Sequence, residues 1–147
     1  MIAIACDHTA LALKRMLSEH LAGRGFETKD YGAHGHERSD YPIYAETAAR
    51  AVVSGECERG VLICGTGVGM CIAANKVAGA RCAVCSEPYS AKLSREHNDA
   101  NLLALGARVV APELAAMILD AWLDAEFEGG RHATRVDMYE RIAARNC

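Results

Sequence analysis

Short apolar runs alternate along this chain with longer stretches of helical period. Ile2 to Cys6 is an unbroken apolar run closed by Asp7-His8-Thr9, after which Leu11, Leu13, Met16, Leu17 and Leu21 recur at near-helical spacing up to Gly23 and Gly25. The pattern predicts strand, turn, helix. Phe26 to Tyr31 reads as a second strand, and Gly32 to Ser39 as a loop holding His34 and His36. Asp40-Tyr41-Pro42 then opens a helix, with Asp40 as cap, Pro42 in the first turn and Ala45, Ala48, Ala49, Val52 and Val53 as its packed stripe. Gly60 to Gly65 is a buried strand followed at once by Thr66-Gly67-Val68-Gly69 and an Ala-rich helix to Lys76. Arg81 to Cys85 is the fourth strand, and Pro88 begins a helix through Arg95 that His97-Asn98-Asp99 interrupts. Leu102 to Leu105 is the fifth strand, Pro112 starts a long helix, and a last amphipathic segment runs from His132 towards Cys147 after Gly129-Gly130.

Five strands alternating with helices imply right-handed crossovers and a parallel sheet covered on both faces. The expected fold is therefore α/β: a three-layer α/β/α sandwich on a Rossmann-like five-stranded parallel sheet. No linker, repeat or low-complexity tract divides residues 1–147, so one domain is expected. Ligands of such sheets sit beyond the carboxyl ends of the strands, here Cys6-Asp7-His8, Cys64 to Gly69, and Cys85-Ser86-Glu87.

Composition sharpens this. Hydrophobic residues make up 51% of the chain but aromatic ones only 5%, while alanine occurs 27 times. Burial must come from closely approaching small-residue helices, each adding little apolar area, so an oligomer would help. The formal charge of −3 gives no basic field for nucleic acid. No run of 18 apolar residues exists, and the N-terminal segment lacks a signal peptide's basic flank, so no membrane partner and a cytoplasmic location are expected. Seven cysteines at irregular spacing read as reduced thiols, with Cys82 and Cys85 buried in a strand rather than paired on a metal.

Cys64-Gly65-Thr66-Gly67-Val68-Gly69 is the strongest local signal: a thiol followed by a glycine-spaced turn entering a helix. A Walker loop would need Gly-Lys-Ser/Thr, which is missing. The dinucleotide spacing fails in both frames, although Glu87 stands about where a ribose-binding carboxylate would. The third reading is an anion hole for an enolate-type oxygen beside a reactive thiol, since a cysteine near a helix N-terminus can serve as base. A plain buried strand-end cysteine is the bland alternative. Asp7-His8 offers a titratable donor at the first strand's end, or simply a satisfied turn. His97-Asn98-Asp99 reads as a loop of binding residues, or as helix capping by Asn98 or Asp99. Arg131 and Arg135, four apart, put two guanidinium groups on one helical face, suited to phosphate oxygens or merely solvated. Tyr41 lines a pocket or covers the core. His34 and His36 have no clear third ligand nearby, so an exposed loop is expected and no metal.

These segments closely resemble the ribose-5-phosphate isomerase B family, which also contains galactose-6-phosphate and allose-6-phosphate isomerases. The resemblance rests on Cys6-Asp7-His8, Ser39-Asp40-Tyr41-Pro42, Cys64 to Gly69 continuing into Ile72-Ala73-Ala74-Asn75-Lys76, Ser86 to Ala91, Arg95 to Asn98, Gly106 to Val109, and Gly129 to His132. It implies cofactor-free and metal-free interconversion of ribose 5-phosphate and ribulose 5-phosphate. By that resemblance Cys64 is the base moving a proton between C1 and C2, and His97 opens the sugar ring. Gly65, Thr66, Gly67, Val68 and Gly69 hold the enediolate oxygens, while Asp7, His8 and Asn98 bind the sugar. Arg108, Arg131 and Arg135 surround the substrate, the last two at its phosphate. A homodimer or homotetramer is implied, with the site at the dimer interface and His97-Asn98 coming from the neighbouring chain. Another branch of the family uses a carboxylate base where Met70 stands, which leaves Cys64. Thr9-Ala10 departs from the small residue and Gly common in relatives, adding bulk beside His8.

Other readings are an isomerase of a hexose 6-phosphate or tetrose 4-phosphate, a sugar-phosphate or nucleotide binding module without catalysis, and a nicotinamide-dependent dehydrogenase.

Overall fold

In the computed structural model, which describes residues 1–145, eleven elements follow the predicted alternation. They are β1 (Ile2–Cys6), α1 (Leu11–Gly23), β2 (Thr28–Asp30), α2 (Tyr41–Val53), β3 (Arg59–Cys64), α3 (Val68–Ala74), β4 (Cys82–Val84), α4 (Pro88–Asn98), β5 (Leu102–Gly106), α5 (Pro112–Asp124) and α6 (Arg131–Arg145). The strands form one sheet of order β2-β1-β3-β5-β4, and every pair is parallel. The central strands β1, β3 and β5 read as continuous apolar runs because both of their faces are covered. The edge strands β2 and β4 are three residues each, shorter than the runs Phe26 to Tyr31 and Arg81 to Cys85 suggest.

Alternation along the strands divides the core in two. Ile2, Ile4, Cys6, Val61, Ile63, Leu103 and Leu105 face α1 and α5, where Leu17, Leu21, Ile118, Leu119 and Trp122 complete a layer of large side chains. Ala3, Ala5, Leu62, Cys64, Leu102 and Ala104 face α2 and α3, whose contribution includes Ala45, Ala48, Ala49, Ala51, Met70 and Ala74. The alanines bring the second layer of helices close and leave it thin. On the outside of that layer and beside it, Ile43, Val68, Ile72, Val84 and Tyr89 are exposed.

Two local expectations are corrected. The helix opened by Pro88 does not stop at Arg95. It runs through Asn98 and ends because Asp99 takes a left-handed conformation with φ of 47°, its carboxylate held by the Arg95 guanidinium at 2.8 Å. His97 and Asn98 thus ride on the last turn of α4 and not in a loop. Asp40 precedes α2, but its side chain makes no capping hydrogen bond; its carbonyl accepts the Ile43 N–H at 3.3 Å instead. Cys6, Cys57, Cys64, Cys71, Cys82 and Cys85 are free and buried, whereas Cys147 lies outside the described residues. Among the described residues no helix is long and apolar enough to cross a membrane.

Candidate functional site

The chain leaves β1 towards β2 on one side, while β3 lies on the other, so a crevice opens between their carboxyl ends. Parallel register pairs Cys6 with Ile63 and Cys64 with Gly106, which brings Asp7-His8, the loop after Cys64 and the turn after Gly106 to one edge of the sheet.

Cys64 is 5% exposed at the end of β3, and its Sγ accepts the Gly67 backbone N–H at 3.1 Å. Gly67 stands at φ of 79°, a conformation costly for any residue with a Cβ, and that turn aims its N–H back at the sulfur. Val68 N–H donates to Thr66 Oγ1 at 3.3 Å. Two of the loop amides are therefore engaged locally. The Cys64 and Gly65 carbonyls accept N–H groups of Ala107 and Arg108 at 2.8 and 3.0 Å, tying this loop to the one after β5. The exposed Arg108 guanidinium lies over Gly65, where a Cβ would fall 3.6 Å from its Nη1. Tyr41 covers Gly69 so closely that a Cβ there would sit 2.5 Å from the ring. Tyr41 is partly exposed, over the start of α3, and does not belong to the core.

Asp7 is 6% exposed, and one of its carboxylate oxygens accepts both the backbone N–H and the hydroxyl of Thr9, at 2.9 and 2.6 Å. The bulk at Thr9 is thus used to hold Asp7. His8 Nδ1 accepts the Ser39 N–H at 3.3 Å and lies 3.4 Å from its hydroxyl, which leaves Nε2 as the protonated, available nitrogen. Glu87 accepts the Ser90 N–H at 2.9 Å as the N-cap of α4, so its carboxylate is occupied in a structural role.

A second cluster gathers at the opposite edge of the sheet. Asn98 Nδ2 donates to the Tyr139 hydroxyl at 3.1 Å. The rings of His97 and His132 stack with centroids 4.1 Å apart and planes within 6°. Glu128 Oε2 lies 3.8 Å from His97 Nε2 and 3.4 Å from His132 Nε2. The three donor atoms fall within 4.8 Å of one another, but parallel rings send their nitrogen lone pairs side by side rather than converging on one ion. Burial, the neighbouring His97 and the charges of Arg131 and Arg135 hold His132 below the usual histidine range, against the pull of Glu128. Arg131 and Arg135 are exposed on the first turns of α6. His132 and Glu128 carried no role in the sequence reading. The signals there are a Glu and a His four residues apart and the place of His132 at the end of the Gly129 to His132 segment.

Asp7, His8, Tyr41, Cys64 to Gly69 and Arg108 thus meet at one edge, while His97, Asn98, Arg131 and Arg135 meet at the other. From Gly106, beside Cys64, to Leu102 is four residues of β5, about 13 Å at the usual rise, and His97 lies beyond. Within one chain the two groups do not form a single pocket.

Residues 2–139 match the family Ribose/Galactose Isomerase. The chain belongs to this family. It is 58% identical over 144 residues to ribose-5-phosphate isomerase B of Escherichia coli (strain K12), covering 98% of this chain and 97% of that protein. It superimposes on the solved structure of Clostridium thermocellum ribose-5-phosphate isomerase B with a TM-score of 0.98 at 55% identity, covering 99% of each chain. Ribose-5-phosphate isomerase B of Mycoplasma genitalium, solved with bound ribulose 5-phosphate, matches with a TM-score of 0.93 at 43% identity over 97% of this chain and 95% of that one. The five-stranded parallel sheet and its helical layers are the family's fold.

Proposed function

We infer that this chain is an aldose-ketose isomerase that interconverts ribose 5-phosphate and ribulose 5-phosphate at a site shared by two copies. The observation that carries this is the buried thiol at the switch point of a sheet whose full length matches ribose-5-phosphate isomerases, one of them holding ribulose 5-phosphate.

The chemistry follows from the residues. Once the ring is opened, Cys64 as thiolate removes the C2 proton of the aldose; the C–H electron pair forms the C1–C2 double bond, and the C1 oxygen takes the negative charge. N–H groups of the loop Gly65 to Gly69, other than those of Gly67 and Val68 that are engaged locally, stabilise that oxygen, with the Arg108 guanidinium beside them. The thiol then returns its proton to C1 while the C2 hydroxyl passes its own to the C1 oxygen, leaving the C1 hydroxyl and C2 ketone of ribulose 5-phosphate and Cys64 again as thiolate. His8, held by Ser39, and Asp7, held by Thr9, position sugar hydroxyls. No electron leaves the substrate, so the reaction balances without an oxidant or reductant.

The second copy supplies what the first lacks at this edge: His97 to open the ring, Asn98 for the sugar, and Arg131 and Arg135 for the phosphate. A two-fold arrangement makes the exchange reciprocal and yields two equivalent sites. The exposed Ile43, Val68, Ile72 and Tyr89 around the thin alanine layer favour such a partner. A turnover assay on four-, five- and six-carbon aldose phosphates tests this reading. Ribose 5-phosphate is expected to give the highest kcat/KM, and absence of turnover on it, with saturable binding retained, would establish a binding module instead.

A further inference from the structure

His132 is an odd residue to find where it is. It is 5% exposed, and among the described residues what its ring meets is the face of His97 and the carboxylate of Glu128. Glu128 is in turn fixed from behind, since its own N–H donates to the Glu96 carbonyl on α4 at 3.0 Å. The loop before α6 and the end of α4 are thereby locked together at His97.

We propose that His132 and Glu128 are positioning residues for His97: the buried ring forms a flat platform that sets the plane of the His97 ring, and the carboxylate takes its Nε2 side, leaving Nδ1 turned to the sugar. The proposal rests on the reading of His97 as the ring-opening group. The charged groups around the pair are few. Arg131 and Arg135 come from α6 and Glu128 from the loop, while on α4 itself Lys92 and Glu96 are paired with each other at 3.5 Å. Two imidazoles stacked at 4.1 Å do not both take a proton readily, because like charges at that distance repel. Burial first, then His97 and the arginines, pull the His132 imidazole below the usual histidine range. His97 is the more exposed ring of the two, open to a sugar on the side away from His132.

The substrates themselves provide a readout that separates positioning from general damage. Ribose 5-phosphate closes a five-membered ring through its C4 hydroxyl and must be opened. Ribulose 5-phosphate has its C5 hydroxyl esterified and stays open. Exchange of the C1 proton of ribulose 5-phosphate with deuterium oxide accordingly needs Cys64 but not ring opening. The variants are Glu128→Gln, exposed and safe for folding, His132→Ala, and His132→Phe, which keeps a flat ring but drops the nitrogen. His97→Asn serves as reference, and thermal melting checks that each is folded. Turnover of ribose 5-phosphate is expected to fall about ten- to a hundredfold in Glu128→Gln and His132→Ala, the scale of a misplaced catalytic group. Deuterium exchange into ribulose 5-phosphate should stay near the unsubstituted level, and His132→Phe should recover part of the loss. If His97→Asn shows the asymmetry but the Glu128 and His132 variants do not, the platform is merely structural and the proposal is overturned. If His97→Asn loses both activities equally, the ring-opening reading fails and takes the proposal with it.

Discussion

The Gly67 N–H points at Cys64 Sγ from 3.1 Å, out of a turn in which Gly67 is left-handed. A sulfur that only filled space would not need a donor aimed at it. Cys64→Ala is expected to fold normally, since the change removes one small buried atom, and to lower kcat by about 10²–10⁴, the usual contribution of a proton-transfer group. Cys64→Ser keeps the acceptor but replaces a thiol with a far weaker acid and should fall in the same range. A coupled assay with ribose 5-phosphate and a melting curve read the two quantities. Full activity in either variant would remove Cys64 from the mechanism.

Gly69 on α3 and Tyr41 at the start of α2 make a second close pair, and here geometry opposes propensity. Gly to Ala inside a helix ordinarily stabilises by about 0.5–1 kcal/mol. At Gly69 the new methyl would fall 2.5 Å from the Tyr41 ring, an overlap whose relief costs about 1–3 kcal/mol. Gly69→Ala should therefore lower the melting temperature and raise KM by displacing the ring from the crevice. Adding Tyr41→Ala to it should restore part of the stability. A stabilised Gly69→Ala protein would show that the ring moves aside freely.

Much of this could be read along the chain, and the reason is local. β3 and the turn at Gly65 to Gly69 are contiguous, so an apolar run followed by spaced glycines carries both the strand and the loop. The end of α4 could not be read that way. His97-Asn98-Asp99 is polar throughout, and the helix persists because Arg95 reaches from within it to the Asp99 carboxylate, a side-chain contact invisible to periodicity. The stacking of His132 on His97 depends on how α6 docks against α4, a packing decision 35 residues apart in sequence. Asp40 shows the converse: a residue of the right type in the capping place whose side chain stays unused, because Pro42 has no N–H to offer and the Ile43 N–H goes to the Asp40 carbonyl.

Arg131 and Arg135 lie exposed on one face of α6. If they hold the phosphate, Arg131→Ala and Arg135→Ala should each raise KM for ribose 5-phosphate about ten- to a hundredfold, the scale of one charge-assisted hydrogen bond, with a smaller effect on kcat. Steady-state kinetics at fixed ionic strength separates the two constants. An unchanged KM in both variants would assign these arginines to the solvated surface.

Cys6 and Cys85 belong to the large-residue core layer, and burial pushes each thiol up to about 11 from an ordinary value of 9.0. Between those values the folded chain keeps protons that the unfolded chain has released. Stability from this source is whole below pH 9 and is lost as pH rises through 11. Melting temperature should thus fall across that window, and the fall should be shallower in a Cys6→Ala, Cys85→Ala protein. Parallel curves for the two proteins would show that other groups cause the alkaline loss.

The division of the site between opposite sheet edges makes the sharpest prediction. Cys64→Ala and His97→Asn homodimers should each be nearly inactive on ribose 5-phosphate, because every site lacks one group. Mixed after dissociation and reassembly, they form hybrids in which the Cys64 of one chain meets the His97 of the other. One of the two sites in each hybrid is then intact and the other carries both substitutions. Random pairing makes half the dimers hybrid, so a 1:1 mixture should recover roughly a quarter of the unsubstituted activity. If each site were built within a single chain, both sites of every hybrid would lack one group and mixing would recover nothing. Light scattering on the same samples establishes that hybrids had the chance to form, so a silent mixture of verified dimers would refute the shared site.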